Sequence, residues 1–179
     1  MENRHEILLE LLEKSGATYY RLLTKLTLRE DVAEELMQEL FIKLSNTNGL
    51  NDVKNLNAYA RRAAINLAFD WRRSNKHNHL GLDRLQEPAS NDNSPLANMV
   101  RTEQLKQVLE TIGRLNKTPR DVLVMRYIEE QTTEDIAEQL QKTPHQVRAL
   151  CSRALGHLRD KLGSNKSGLS GKETNNVED

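Results

Sequence analysis

The sequence predicts an all-α protein, and three observations carry that expectation. Leu, Ala, Glu, Gln, Lys and Arg dominate the chain, and these side chains lose little freedom on entering a helix. No stretch of Val, Ile, Thr and aromatic residues alternates with polar ones for long, so strand signals are weak. Apolar residues recur instead at three- and four-residue spacings. Only 37% of the 179 residues are hydrophobic and 4% aromatic, which is thin for one large core but suits two small helical bundles.

Ile7, Leu8, Leu11 and Leu12 form one amphipathic stripe; Tyr19, Leu22, Leu23 and Leu26 form another after Gly16. A further helix is expected over residues 30–44, an Asn-rich loop containing Gly49 over 45–57, and a helix over 56–73. Residues 74–98 then bring Asn, Ser, Asp, Pro88 and Pro95 without apolar periodicity, the mark of an exposed linker. Helical patterning returns near Val100 and lasts to Leu162. The remaining residues are small and polar and bury almost nothing, so disorder is expected there. The expected organisation is a helical domain over residues 1–76, a flexible linker over 77–99, a second helical domain over 100–162 and a tail over 163–179.

Helix punctuation is clear in the second half. Thr118-Pro119 places an N-cap residue before a proline suited to the first helical position. Thr132 caps the next helix, with Asp135 three residues on, and Thr143-Pro144 repeats the first device, with Gln146 completing a capping box. The last two helices so defined have the lengths of a helix-turn-helix.

The formal net charge is zero, so total charge decides nothing about nucleic acid and its distribution does. Lys54, Arg61, Arg62, Arg72, Arg73 and Lys76 form one basic cluster, with Asp70 the single acid nearby. Lys142, Arg148, Arg153, Arg159 and Lys161 form a second, and an acidic stretch from Asp121 to Glu138 separates the two. Two separated basic surfaces suit two contacts with one polyanion. Cys151 is the sole cysteine, which rules out an intramolecular disulfide and fits a reducing compartment. No apolar run reaches membrane-span length, and Met1 to Glu6 lack the layout of a signal peptide, so a cytoplasmic protein is expected.

Three helical faces carry the functional reading. On the 30–44 helix, Ala33, Leu36, Met37, Leu40, Phe41 and Leu44 make the core stripe. The opposite side carries Asp31, Glu34, Glu35, Gln38, Glu39 and Ile42, which is either a solvated acidic face or a docking face with Ile42 as its apolar anchor. On the 56–73 helix, Leu56, Ala60, Ala63, Ala64, Leu67 and Trp71 share the core side. The other side presents Arg61, Arg62, Ile65, Phe69, Arg72 and Arg73, flanked by Asn66. Guanidinium groups neutralise phosphates and a ring supports an unstacked base, which suits opened nucleic acid. The alternative for this face is that Ile65 and Phe69 pack on a neighbouring helix. On the last helix, Val147, Cys151, Ala154 and Leu158 line the inside, and Cys151 is there a small buried hydrophobe. His145, Arg148, Ala149 and Ser152 point outward with Arg153 beside them, as on a recognition helix entering a major groove.

These segments resemble sigma factors of the extracytoplasmic-function group, in the sigma-70 superfamily. Residues 31–41, Asp-Val-Ala-Glu-Glu-Leu-Met-Gln-Glu-Leu-Phe, look like the family's acidic stretch that ends in Gln-Glu or Gln-Asp before an aromatic. Residues 58–73 are similar to its helix that melts and reads the minus-ten promoter element. Residues 120–127, then 136–140, then Val147-Arg148 and Arg153-Ala154, look like its helix-turn-helix domain for the minus-thirty-five element. The resemblance implies that Asp31, Glu34, Glu35, Gln38 and Glu39 bind the clamp helices of the largest subunit of RNA polymerase. It also implies that Arg62, Asn66, Arg72 and Arg73 lie at the minus-ten region, and that Arg148, Ala149, Ser152 and Arg153 face the minus-thirty-five groove. The chain departs from the family where a Gly and an apolar residue usually form the last turn, having Gln141-Lys142. It also has Leu150 where a basic residue is common, and Ile65 where Arg is.

The expected function is therefore a sigma factor, with core RNA polymerase and promoter DNA as partners and an anti-sigma factor as a further candidate. Two alternatives stand beside it: a sigma-like protein that only occupies an anti-sigma factor, and a helix-turn-helix regulator acting on DNA alone. An enzyme is not expected, nor a cofactor or a metal. Glu2 and His5 have the Glu-x-x-His spacing of di-iron bundles, but those use the motif twice with further carboxylates. His77 and His79 have no evident companions, and no phosphate-binding Gly loop or nucleophile elbow occurs.

Overall fold

The two stripes that flank Gly16 join in a single helix. In the computed structural model, which describes residues 2–48, 50, 53–75 and 95–167, α1 (Glu2–Thr27) runs unbroken through that glycine. Leu8, Leu11, Ser15, Tyr19, Leu22, Leu23 and Leu26 then form one buried line at three- and four-residue spacing. A buried stripe on both sides outweighs the modest cost of one glycine in a helix. The chain reverses at Leu28, which takes a left-handed conformation (φ 61°), and enters α2 (Glu30–Asn46). Thr27 Oγ1 secures the turn, donating to Leu23 O at 2.8 Å and accepting from Arg29 N at 3.3 Å.

After a loop the chain enters α3 (Leu56–Asn75), whose first turn is capped by Asn55 Oδ1 accepting from Ala58 N at 2.9 Å. Tyr19 donates to Asn57 Oδ1 at 2.9 Å, and Asn57 Nδ2 donates to Ser15 Oγ at 2.9 Å, which ties the start of α3 to the middle of α1. Helices α1, α2 and α3 pack on one another as a three-helix unit. The expected linker lies outside the described residues over 77–94, and its end, from Pro95, is already helical.

The second unit contains α4 (Pro95–Gly113), α5 (Lys117–Leu123), a π-helical turn (Val124–Ile128), α6 (Thr133–Leu140) and α7 (Pro144–Ser167). Among the described residues there is no strand, and the all-α expectation holds. The tail expected from Gly163 is helical as far as Ser167, and residues 168–179 lie outside the described residues. The cap of α5 is Asn116 rather than Thr118, so Pro119 stands at the third helical position. That position is still inside the first turn, where a missing N–H costs nothing.

The two caps flanking the helix-turn-helix form as the sequence predicts. Thr132 Oγ1 accepts from Asp135 N at 3.1 Å. Thr143 and Gln146 make a reciprocal capping box, with Gln146 N donating to Thr143 Oγ1 at 3.2 Å and Thr143 N to Gln146 Oε1 at 2.9 Å. Between them Gln141 ends α6 in the left-handed region (φ 52°, ψ 47°), and Lys142 N donates to Ala137 O at 2.8 Å. The turn thus adopts its glycine-type geometry without glycine. An exposed non-glycine residue there is strained. Gln141→Gly is expected to stabilise the protein by about 1 kcal/mol, read as a shift of the urea midpoint to higher concentration.

A small core of Val122, Met125, Ile136, Ala137 and Val147 holds the helix-turn-helix. The main core is shared by both units. Ile65, Ala68 and Phe69 of α3 belong to the same cluster as Leu109 and Ile112 of α4, Leu123, Val124, and Ala154 and Leu158 of α7. The second unit therefore lies directly on α3.

Candidate functional site

The face of α2 opposite its core stripe is open. Asp31, Glu34, Glu35, Gln38 and Glu39 are all exposed, and Ile42 among them is 58% exposed. Val32, Ala33, Leu36, Leu40 and Leu44 are buried beneath, which fixes the helix and its outward side chains. Asp31 accepts from Arg29 Nε at 3.1 Å, and this pairing holds its carboxyl below the usual carboxylate range. The result is a rigid acidic surface with one apolar anchor, a form suited to a basic or mixed protein partner.

A second face is open on α7. His145, Arg148, Ser152 and Arg153 are exposed and Ala149 is half-buried. The inner side is held by Val147 and Ala154, both buried, with Leu150 and Cys151 packed against the small core. Cys151 is half-buried against the small core, and burial raises its thiol. The outward groups sit in the first three turns of a helix whose entry is fixed by the capping box.

The third face differs from its expectation. Arg62 and Arg73 of α3 are exposed, Arg73 being paired with Asp70 one turn away. Phe69, expected outward, is only 1% exposed, and Ile65 is wholly buried. The reason is the second unit: the Phe69 ring packs against Gly113 at the end of α4, and the guanidinium of Arg120 lies 5.1 Å over the ring centre. Arg61, Asn66 and Arg72 are half-buried and engaged across the same seam. Arg61 pairs with Glu129 at 3.1 Å and donates to Gln139 Oε1, while Asn66 Oδ1 accepts from Arg120. Arg72 donates to Leu26 O at 3.0 Å and to Lys106 O at 3.3 Å. Trp71 is half-buried against the core, as its stripe predicts.

Three residues of this seam escape a reading of the sequence: Gly113, Arg120 and Glu129. Among the described residues Arg120 is the largest fully buried side chain, 2% exposed, and its Nη2 is 3.0 Å from the buried Asp121 carboxylate. A signal existed. Arg120-Asp121 stands directly before the apolar run Val122 to Met125, and adjacent opposite charges entering such a run fit a buried pair.

Burial pushes both Asp121 and Glu129 above the ordinary carboxylate range. Arg120, Arg62 and Lys117 oppose the shift at Asp121, and Arg61 and Lys25 oppose it at Glu129. A carboxyl raised in the folded state contributes most below its unfolded value and loses that contribution as pH rises through its folded value. Urea midpoints are therefore expected to fall as pH increases from the ordinary carboxylate range through these raised values, and Asp121→Asn with Glu129→Gln should flatten that slope.

Among the described residues no group of three His, Cys, Asp or Glu could hold a metal ion, and no helix is long and apolar enough to cross a membrane. His77 and His79 lie outside the described residues.

Among the described residues, fold and surfaces define two helical units, the second containing a helix-turn-helix. Residues 105–158, from the middle of α4 through α7, match the family described as Sigma-70, region 4. The RNA polymerase sigma-E factor of Streptomyces avermitilis is 27% identical over 136 residues, covering 74% of this chain and 72% of that protein. The sigma-E factor of Streptomyces coelicolor is 28% identical over 137 residues, covering 73% and 71%. Among solved structures, CnrH in complex with the cytosolic domain of CnrY is similar in fold, with a TM-score of 0.52, 16% identity, and coverage of 89% of this chain and 90% of that one. Residues 105–158 thus resemble sigma-70 region 4, and most of the chain is similar to RNA polymerase sigma-E factors.

Proposed function

We propose that this chain binds core RNA polymerase and directs promoter-specific initiation. The observation that carries the reading is the pair of open faces on separate units: the acidic face of α2 with Ile42, and the basic face of α7 in a helix-turn-helix. The α2 set of Asp31, Glu34, Glu35, Gln38, Glu39 and Ile42 docks on the clamp helices of the largest polymerase subunit. His145, Arg148, Ala149, Ser152 and Arg153 enter the major groove of the minus-thirty-five element. Arg61, Arg62, Asn66, Phe69, Arg72 and Arg73 serve the opened minus-ten strand. The expected domains over residues 1–76 and 100–162 are the two grips of one tool. The chain acts by binding in the cytoplasm and performs no chemistry itself.

Mixing the purified chain with core polymerase and DNA selected by that mixture from a random library tests this. The expected result is a run-off transcript of defined start that depends on the chain and weakens steeply with salt, as phosphate contacts require. DNA selected by the chain without polymerase, and no transcript, would make it a stand-alone regulator instead. A polymerase mixture with no selected sequence would leave a protein that only occupies an anti-sigma factor.

A further inference from the structure

We propose that a groove beside α7 binds a compact amphipathic anion, a carboxylate or phosphate carried on a flat apolar body, and that its occupant competes with promoter DNA for Arg153. The site stands on its own geometry, and only the competition rests on the proposed function. The groove, about 390 Å³, lies between the turn that joins α4 to α5 and the middle of α7. Leu115, Pro119, Leu150 and Ala154 make its floor, and Arg114, Asn116, Arg153 and His157 stand around it. No acidic residue among the described ones lines it. An apolar floor with a few convergent polar groups, at this volume, is the usual form of a small-molecule site.

The polar groups are placed and available. Arg114 N donates to Thr111 O at 3.2 Å and Leu115 N to Ile112 O at 3.0 Å, which fixes the turn that carries Arg114 and Asn116. Asn116 opens α5, yet its side chain makes no capping bond. Among the described residues no hydrogen bond or ion pair engages the Arg114 guanidinium or the His157 ring. Arg153 Nε donates to Ala149 O of its own helix at 3.3 Å, which leaves its terminal nitrogens for a ligand. Two guanidinium groups suit the paired oxygens of one carboxylate or phosphate, and the His157 ring adds a further donor. Leu115, Pro119 and Leu150 are only half-buried, so an apolar body laid on them removes them from water.

A bare anion leaves this floor wet, and a neutral apolar body leaves the cations unused, so the fitting ligand carries both parts. Leu150 supplies the floor at the position where the chain departs from the basic residue common in the family it resembles. Helical spacing puts Leu150, Arg153, Ala154 and His157 about a third of a turn away from Arg148, Ala149 and Ser152. The groove is thus a neighbour of the outward face, and Arg153 is the side chain they share.

The isotope-labelled full chain is titrated with naphthoate, naphthyl phosphate, inorganic phosphate and naphthylmethanol while its amide resonances are followed. At least one naphthyl anion is expected to bind with a Kd of about 1 mM or tighter, moving the amides of Leu115, Leu150 and Ala154, and the tighter of the two names the head group. Inorganic phosphate and naphthylmethanol should bind at least about tenfold more weakly. Arg114→Gln and His157→Gln, both at exposed positions, should each weaken binding about tenfold. Arg148→Ala should leave it within about twofold, because that residue lies outside the groove. Circular dichroism melts identify a variant that fails to fold, and the other then carries the test. With core polymerase present, the bound anion should lower affinity for a selected promoter about fivefold or more in the parent, the loss of one charged contact. The Arg114→Gln chain should bind that promoter as the parent does and lose the sensitivity. No binding by either naphthyl anion at about 10 mM, or equal binding of inorganic phosphate or naphthylmethanol, would overturn the site. Occupancy that leaves promoter affinity unchanged would overturn the competition. If the chain with polymerase selects no promoter, the functional reading fails, whereas the amide shifts still decide the site.

Discussion

Replacing Gln38 and Glu39 together with alanine is expected to weaken association with core RNA polymerase by about ten- to a hundredfold, the loss of one or two central contacts in an interface. Both side chains are exposed on a helix whose other side is fully packed, so the fold should not notice their removal. The matched change on the other unit is Arg148→Ala. It should leave polymerase association within about twofold, because surface substitutions away from an interface are near neutral. It should lower transcription from a selected promoter by about five- to a hundredfold, the range for losing a bidentate contact to a base. Equilibrium binding to labelled core enzyme and run-off yield on one template read both arms. If the two variants fail in the same assay to the same degree, the faces are not separate devices.

The second large effect concerns stability. Arg120→Ala is expected to destabilise the protein by about 3–5 kcal/mol, because it leaves the buried Asp121 carboxylate without its partner. The same change removes the cation over Phe69 and the donor to Asn66. Lysine should not rescue it: one ammonium cannot reach carboxylate, amide and ring face as a planar guanidinium does. Replacing Arg120 and Asp121 together by Met and Leu should recover much of the loss, since a buried pair is often exchanged for apolar packing at little cost. Urea unfolding of the three variants checks this, and a loss under about 1 kcal/mol for Arg120→Ala would mean the pair is not buried as described.

Much of this was legible in the amino-acid sequence, and the reasons are physical. Helix α2 and the helix-turn-helix are set by short-range chemistry: apolar stripes of period 3.6, Thr132 and Thr143 as caps, and the Gln146 partner of the capping box. The turn at Gln141 was not legible in this way: its sequence departs from the family's glycine, yet the chain keeps the left-handed geometry there. The outer face of α3 was not legible in the same way. A helical wheel separates Ile65 and Phe69 from the main stripe, but only the second unit, from residues more than thirty positions away, decides whether they meet solvent. The same long-range packing explains Arg120 and Gly113, whose roles depend on a ring in another unit. At Gly16 the local rule and the tertiary one disagreed, and the continuous buried line along α1 prevailed.

On the proposed function, one unit presents a protein-binding face and the other a DNA-binding face. A photo-activated benzoyl-phenylalanine placed at Ile42 in one preparation and at Ser152 in another, each assembled with core polymerase and promoter, tests it most directly. The label at Ile42 is expected to capture the largest polymerase subunit and not DNA; the label at Ser152 is expected to capture DNA upstream of the start. Capture of DNA from Ile42, or of nothing by either label in a complex that transcribes, would contradict it.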